Sequence, residues 1–461
     1  MFGRDRRWRE LPSTALWIPG IWLAMCSSRQ SSFWLSQLGI GGDTSNSLEG
    51  SPINVVVNTG LFFMAFLVLK RRKFSWVQWA VSNKALFSIY AFFLASMLWS
   101  PFPFPTLKRL IQDFGSVLIG LIVLTEKDPA ASLRVIFVRV SYILFPLSVV
   151  FMRYFPNIGR VVSEVSGSHM VSGVADHKNS LGQLAMVFCL VLIFDLLQTR
   201  ALKTADGKPP ERWVRLLNLG IGLYLLQVSE SATSLLCFII GLVMLFLSTR
   251  LARMKNATAV FMGCVVAIVA LIAVQQASDL SGNVSEALGR GEGMSGRTEI
   301  WRATLAKNTN YWFGAGFRGF WETPEGMSVS KELHTNRLLT VHNGYIEVYL
   351  YGGVMGLCFL AAWLWSTGYK ATAKLVAGDP LGRLAVVFWP LLLLYNITES
   401  QFFQMGSIWL TTFLLTIDYR SQELREGATN RVLPARPSSN PVNASPGLRP
   451  WMARQPIERR R

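Results

Sequence analysis

The chain has 461 residues, of which 51% are hydrophobic and only 16% charged, yet 45 Lys+Arg against 27 Asp+Glu leave a formal net charge of +18. Soluble domains carry about 25% charge, so the composition excludes an ordinary nucleic-acid binder and points to a polytopic, all-α membrane protein. Aromatic content of 12%, with 16 Trp, suits belts of amphipathic rings at headgroup depth. Five Cys cannot build a disulfide framework, and Cys189, Cys237, Cys264 and Cys358 lie in apolar runs where they read as small hydrophobes.

Stretches near the roughly 20 residues that cross a bilayer predict about twelve membrane helices. In chain order they centre on 14–26, 54–69, 85–99, 113–125, 135–152, 180–198, 216–228, 231–249, 257–274, 344–366, 384–397 and 402–417. The first follows Arg4, Arg6 and Arg7, is interrupted by Pro19, and could pass for a signal peptide with a poor lipoprotein site at Cys26. Eleven further stretches follow it, so it is read as a signal anchor. Lys and Arg favour cytoplasmic loops. With the N-terminus inside, 31 of the 45 basic residues fall in inner segments and 13 in outer ones, which supports both termini being cytoplasmic.

The predicted organisation is a cytoplasmic N-terminus (1–13), nine helices (14–274), a large outer loop (275–341), three helices preceded by a His motif (342–417) and a tail (418–461). The tail is rich in Arg and Pro, ends in three Arg, and is expected to be disordered beside anionic lipid. The outer loop balances seven basic against seven acidic residues and carries Trp301, Trp312 and Trp321, so a folded cap is expected, helical around 297–308.

All four histidines (His169, His177, His334 and His342) fall on the outer side, with Asp176, Glu230 and Glu399 at span ends. Ionisable groups at membrane depth mark functional sites by default. A metal is not expected, because there is no HExxH and the histidines form two distant pairs spaced eight apart. His342 opens a span, where the helix dipole helps keep a ring neutral and able to accept a proton; a plain interfacial cap is the bland alternative. Gly352 and Gly356 form a GxxxG that reads as close helix packing.

Ser295-Gly296-Arg297-Thr298 reads as a helix start with Arg in its first turn. Free backbone N–H groups and a guanidinium there suit a phosphate or diphosphate, although a solvated or ion-paired Arg297 would look the same. Gly314-Ala315-Gly316-Phe317-Arg318-Gly319 matches GxGxxG without the strand and helix a dinucleotide site needs, so it reads as a tight turn presenting Arg318. His177-Lys178-Asn179 and Glu230-Ser231 put further polar groups at the same level, where interfacial anchoring is the alternative.

His342-Asn343, nine residues, then Gly353-Val354-Met355-Gly356 resembles the signature of the bacterial O-antigen ligase family, which includes O-antigen and exopolysaccharide polymerases. The resemblance extends to Ser295–Thr298, Gly314–Gly316, His177–Asn179 and Asn396–Ser400, and to the layout of spans around one large loop. It implies a helical, inverting glycosyltransferase of the inner membrane with a periplasmic site, needing no metal, nucleotide sugar or other cofactor. The implied donor is a glycan on undecaprenyl diphosphate, and the implied acceptor is lipid A core for a ligase or another lipid-linked glycan for a polymerase. By position, His342 would take the acceptor proton and Arg297 would hold the diphosphate, with Arg318, Lys178, His177, Asn343, Glu230 and Glu399 as substrate-binding candidates. Membrane lipids and polysaccharide export proteins are the further partners implied.

One departure stands out. Many members carry an Arg where this chain reads Glu230-Ser231-Ala232-Thr233-Ser234, so a second diphosphate cation would have to be Lys178 or Arg318. That gap tilts the resemblance toward the polymerase branch. A transporter of lipid-linked glycan is the alternative from another class, but the polar groups cluster at one face and not at the midplane.

Overall fold

The computed structural model describes residues 13–40, 51–162, 169–199, 212–277, 295–307, 310–333 and 338–418. The tail, His334 and the remainder of the large loop lie outside them. The short helices α1 (Trp17–Cys26) and α2 (Ser31–Gln37) lead to α3 (Pro52–Arg71), α4 (Trp76–Ser82), α5 (Lys84–Ala95), α6 (Pro103–Leu124) and α7 (Pro129–Tyr154). One turn, α8 (Pro156–Gly159), then opens a small antiparallel pair, β1 (Arg160–Val162) with β2 (His169–Val171), in which Val161 faces Met170. Next come α9 (Lys178–Thr199), α10 (Arg212–Val228), α11 (Ala232–Leu251) and α12 (Ala257–Ala277). The large loop contributes α13 (Ser295–Ala306) and α14 (Pro324–Glu332), and α15 (Gly344–Val376), α16 (Gly382–Thr398) and α17 (Ser407–Thr416) follow.

Each predicted apolar stretch contains a helix, although 402–417 is helical only over Ser407–Thr416, and the helices differ in what they can span. Among the described residues, five are long and apolar enough to cross a membrane: α3, α7, α9, α11 and α15. A sixth results if α4 and the 84–98 segment, bent by 96°, count as one broken span. At about 1.5 Å per residue α17 reaches only about 15 Å, half of a hydrocarbon core. Helix α6 begins at Pro103, ten residues before the apolar stretch, because proline is pre-organised for a first helical turn. The β1–β2 pair is the one addition to the all-α expectation among the described residues.

Helix α9 is apolar all round, as a helix enclosed by others must be. Leu181 and every residue from Leu184 to Leu192 are buried against α7, α10, α11 and α17. Helices α15 and α16 pack along each other and complete the centre with α17. By contrast α3, α11 and α12 leave Phe63, Phe66, Leu236, Ile239, Val266 and Leu271 exposed, the face an apolar solvent would cover.

Charge pairs pin the end of the bundle opposite His342. The buried Asp195 carboxylate on α9 lies 2.6 Å from Arg215 of α10 and 3.6 Å from Arg134 of α7. Arg72 pairs with Glu126, which also accepts from Ser13 Oγ at 2.8 Å. The first of these fixes α9, whose other end carries part of the polar cluster described next.

Candidate active site at the His342 end of the bundle

Four helix termini meet at one end: the starts of α9, α11 and α15 and the end of α16. Helix α16 stops at Thr398 and hands the chain to Glu399 in extended conformation, and its buried carboxylate meets side chains from the starts of α9 and α13 and from just before α15. Its Oε2 is 3.0 Å from His342 Nδ1, while Oε1 takes Arg297 at 2.9 Å and Asn179 Nδ2 at 2.7 Å. Arg297 also donates to the Thr398 carbonyl at 2.6 Å. One carboxylate thus holds a histidine, an arginine and an asparagine from three separate segments.

The electrostatics follow. Burial pushes the Glu399 carboxyl up, but the hydrogen bond and charge of His342, with Arg297 and His177 beyond, more than offset this and hold it below the usual glutamate range. An ionised Glu399 accepts, so His342 Nδ1 donates and the ring lone pair is at Nε2. Nε2 has no hydrogen-bond partner among the described residues, and the side chain is 32% exposed. His342 has a φ of +53° and stands one residue before Asn343, the cap of the helix that begins at Gly344. The Asn343 side chain accepts from the Tyr345 and Ile346 amides and donates to the Ile397 carbonyl, which joins α15 to the end of α16. His342 is therefore not the cap of this helix.

The remaining candidates spread around this centre. His177 caps the start of α9, with Nδ1 accepting from the Asn179 amide and Nε2 3.1 Å from Ser180 Oγ. Burial lowers its pKa, against the pull of Glu399 and with the push of His342 and Arg297. Beside it, Asp176 is exposed, 3.9 Å from Arg29. Lys178 is half-buried at the first residue of α9 and has no ion-pair partner among the described residues. Glu230 is exposed in the turn between α10 and α11, at a φ of +50°. Its stretch reaches the cluster through Thr233, whose hydroxyl is 3.0 Å from that of Thr398.

The glycine-rich segment is the tight turn expected, with Gly314, Gly316 and Arg318 all at positive φ. It docks where α15 breaks. Gly353 leaves the helical region (φ +60°, ψ −156°), and the unpaired backbone there bonds to the turn: Val354 and Met355 amides to the Tyr311 and Trp312 carbonyls, Ala315 and Gly316 amides to those of Leu350 and Tyr351. The GxxxG is therefore only partly a packing motif. Gly352 does approach Phe92 and Phe93, but the glycine between the pair opens the helix to the loop. Arg318 has a backbone carbonyl held by Arg109. Its guanidinium has no ion-pair partner among the described residues, and its charge reaches the buried Asp113 and Glu347.

Sequence reasoning missed Glu347, a buried carboxylate five residues after His342, although a lone charge in an apolar run is itself a signal. It also left Asn179 and Thr398 out of the candidate set. His169 is exposed on β2, away from these contacts. Among the described residues no three His, Cys, Asp or Glu side chains stand together as a metal's donors would.

Fold and site together define a multi-pass helical membrane protein with a His–Glu–Arg cluster at one end of its bundle. Residues 217–361 match the family model described as O-antigen ligase, and this bears out the resemblance to the O-antigen ligase/polymerase family. The matched segment holds Glu230, Arg297, Arg318, His342 and Asn343, while His177, Lys178 and Glu399 lie outside it. No curated protein matches the chain.

Proposed function

We propose that this chain is an inverting glycosyltransferase of the bacterial inner membrane, facing the periplasm, that transfers or polymerises glycan carried on undecaprenyl diphosphate. The observation that carries the reading is the Glu399 carboxylate shared by His342 Nδ1 and Arg297. It leaves Nε2 as an oriented base and a guanidinium a few ångströms away. Displacement of a diphosphate by a hydroxyl requires such a pair.

In the reaction the acceptor hydroxyl oxygen attacks the anomeric carbon of the donor sugar from the face opposite the diphosphate. Its proton passes to His342 Nε2 as the bond from that carbon to the diphosphate oxygen breaks. The N–H groups of Arg297 not used on Thr398 and Glu399 meet the charge that leaves on undecaprenyl diphosphate. Arg318 and Lys178, without ion-pair partners among the described residues, supply the further cations a diphosphate calls for. Asn343 and His177 hold the backbone on either side. Glu230, exposed at the rim, is placed to meet acceptor glycan.

The acceptor in this proposal is a second lipid-linked glycan, as in exopolysaccharide or O-antigen polymerisation, favoured by the missing Arg in the 230–234 stretch. Ligation to lipid A core is the second reading, and the family description supports it.

The test is complementation of a strain that lacks this chain. His342→Ala and Arg297→Ala are expected to abolish surface polysaccharide while inserting normally. Wild-type product from both would refute the site. Polymer length against core attachment, seen on a gel, separates polymerase from ligase.

A further inference from the structure

Glu347 lies in the first turns of α15 and is fully buried. Burying a carboxylate is costly unless donors surround it, and here they come from separate parts of the chain. Oε1 accepts from Trp321 Nε1 of the large loop at 2.8 Å and from the Tyr351 hydroxyl at 2.7 Å. Oε2 accepts from the Val341 amide at 3.0 Å, and the Ser400 hydroxyl stands 3.5 Å away. Val341 directly precedes His342, and Ser400 directly follows Glu399.

Ser400 ties the two strands further, since its oxygen accepts from the Thr340 hydroxyl at 2.9 Å and from the Asn343 amide at 3.1 Å. On the far side of Val341, its carbonyl accepts from Trp301 Nε1 at 2.8 Å, one helical turn from Arg297. The backbone on both sides of the His342–Glu399 contact is thus referenced to one side chain that touches neither.

We propose that Glu347 is a positioning residue: it sets His342 against Glu399 and couples that pair to the docking of the large loop through Trp321. The role rests on His342 acting as the base. A glutamine at 347 would offer one acceptor oxygen and an NH2 group, so at least one indole, amide or hydroxyl donor would face another donor. The His342 backbone, already at positive φ, then loses a restraint that holds it there.

The experiment compares Glu347→Gln, Glu399→Gln, the double variant, Trp321→Phe and His342→Ala in the complementation strain, with hydrogen exchange on the purified full-length proteins. Glu347→Gln is expected to cut polysaccharide per inserted protein by at least about tenfold, since small misplacements of a reacting group are costly. In the double variant it is expected to add nothing to the loss caused by Glu399→Gln. Exchange should quicken in peptides covering 338–346 and 397–402 and stay unchanged in α9. Trp321→Phe, which removes one donor and keeps the carboxylate, should show a smaller loss in the same direction and serves where Glu347→Gln does not insert. Full yield with unchanged exchange in Glu347→Gln, or losses that simply add in the double variant, would overturn the proposal while His342→Ala stays inactive. Full yield from His342→Ala as well would overturn the glycosyltransferase reading with it.

Discussion

At the scale of single residues, Glu399 decides what its neighbours can do. A neutral amide there keeps the shape but removes the charge that orients the imidazole and offsets the guanidinium. Glu399→Gln is expected to lower product yield by about one to two orders of magnitude, in line with loss of an orienting partner to a catalytic base. A second consequence concerns acid stability. The folded pKa of Glu399 lies below its unfolded value near ~4.3. Its ionised form therefore contributes stability above that value, and the contribution is lost as pH falls through the lower folded pKa. Melting temperature measured against pH should fall more steeply for wild type than for Glu399→Gln in this acid window, and parallel curves would contradict the assignment. His342 and Arg297 were legible in the sequence because motif and helix-start signals surround them. Glu347 was not singled out, since nothing in the local pattern says that Trp321 and Ser400 converge on it from 26 residues before and 53 after.

At the scale of elements, the break in α15 shapes the site. A helix continued through Gly353 would present closed backbone to the 311–316 turn, whereas the break exposes the amides and carbonyls that hold it. A Cβ at Gly353 would sit 2.3 Å from the Trp312 carbonyl carbon, in a backbone region open almost only to glycine. Gly353→Ala is therefore expected to cost about 1–3 kcal/mol from conformation alone, with the clash added. Gly220, in α10 with nothing within 4 Å of its Cβ position, is the control. There alanine should be neutral or stabilise by about 0.5–1 kcal/mol. Melting curves of the two variants check the pair, and equal shifts would contradict it. The GxxxG of Gly352 and Gly356 was visible in the sequence, but spacing carries no sign of the positive φ at Gly353 between them, so a packing motif was expected where a docking break also stands. Likewise Lys108 and Arg109 hid the first half of α6 from a search for apolar runs.

At the scale of the whole molecule, hydropathy located the helices well and their membrane depth poorly. All twelve apolar stretches contain a helix, yet among the described residues five or six satisfy length and composition together. The difference lies in α6, whose charges pair within the bundle, in α10, and in short helices such as α16 and α17, whose residues are enclosed by neighbours. Among the described residues, the charge pairs around Asp195 and Glu126 fix the end opposite the cluster. The proposed site is a small set of charges at the His342 end, gathered from segments more than 200 residues apart, which is why only a family signature could bring them together beforehand. The most direct test uses purified full-length protein in a lipid bilayer with lipid-linked glycan extracted from the deletion strain, measuring release of free undecaprenyl diphosphate together with extended or transferred glycan. Wild type is expected to release it and His342→Ala is not. Release at the wild-type rate by His342→Ala, or none by wild type, would contradict the account.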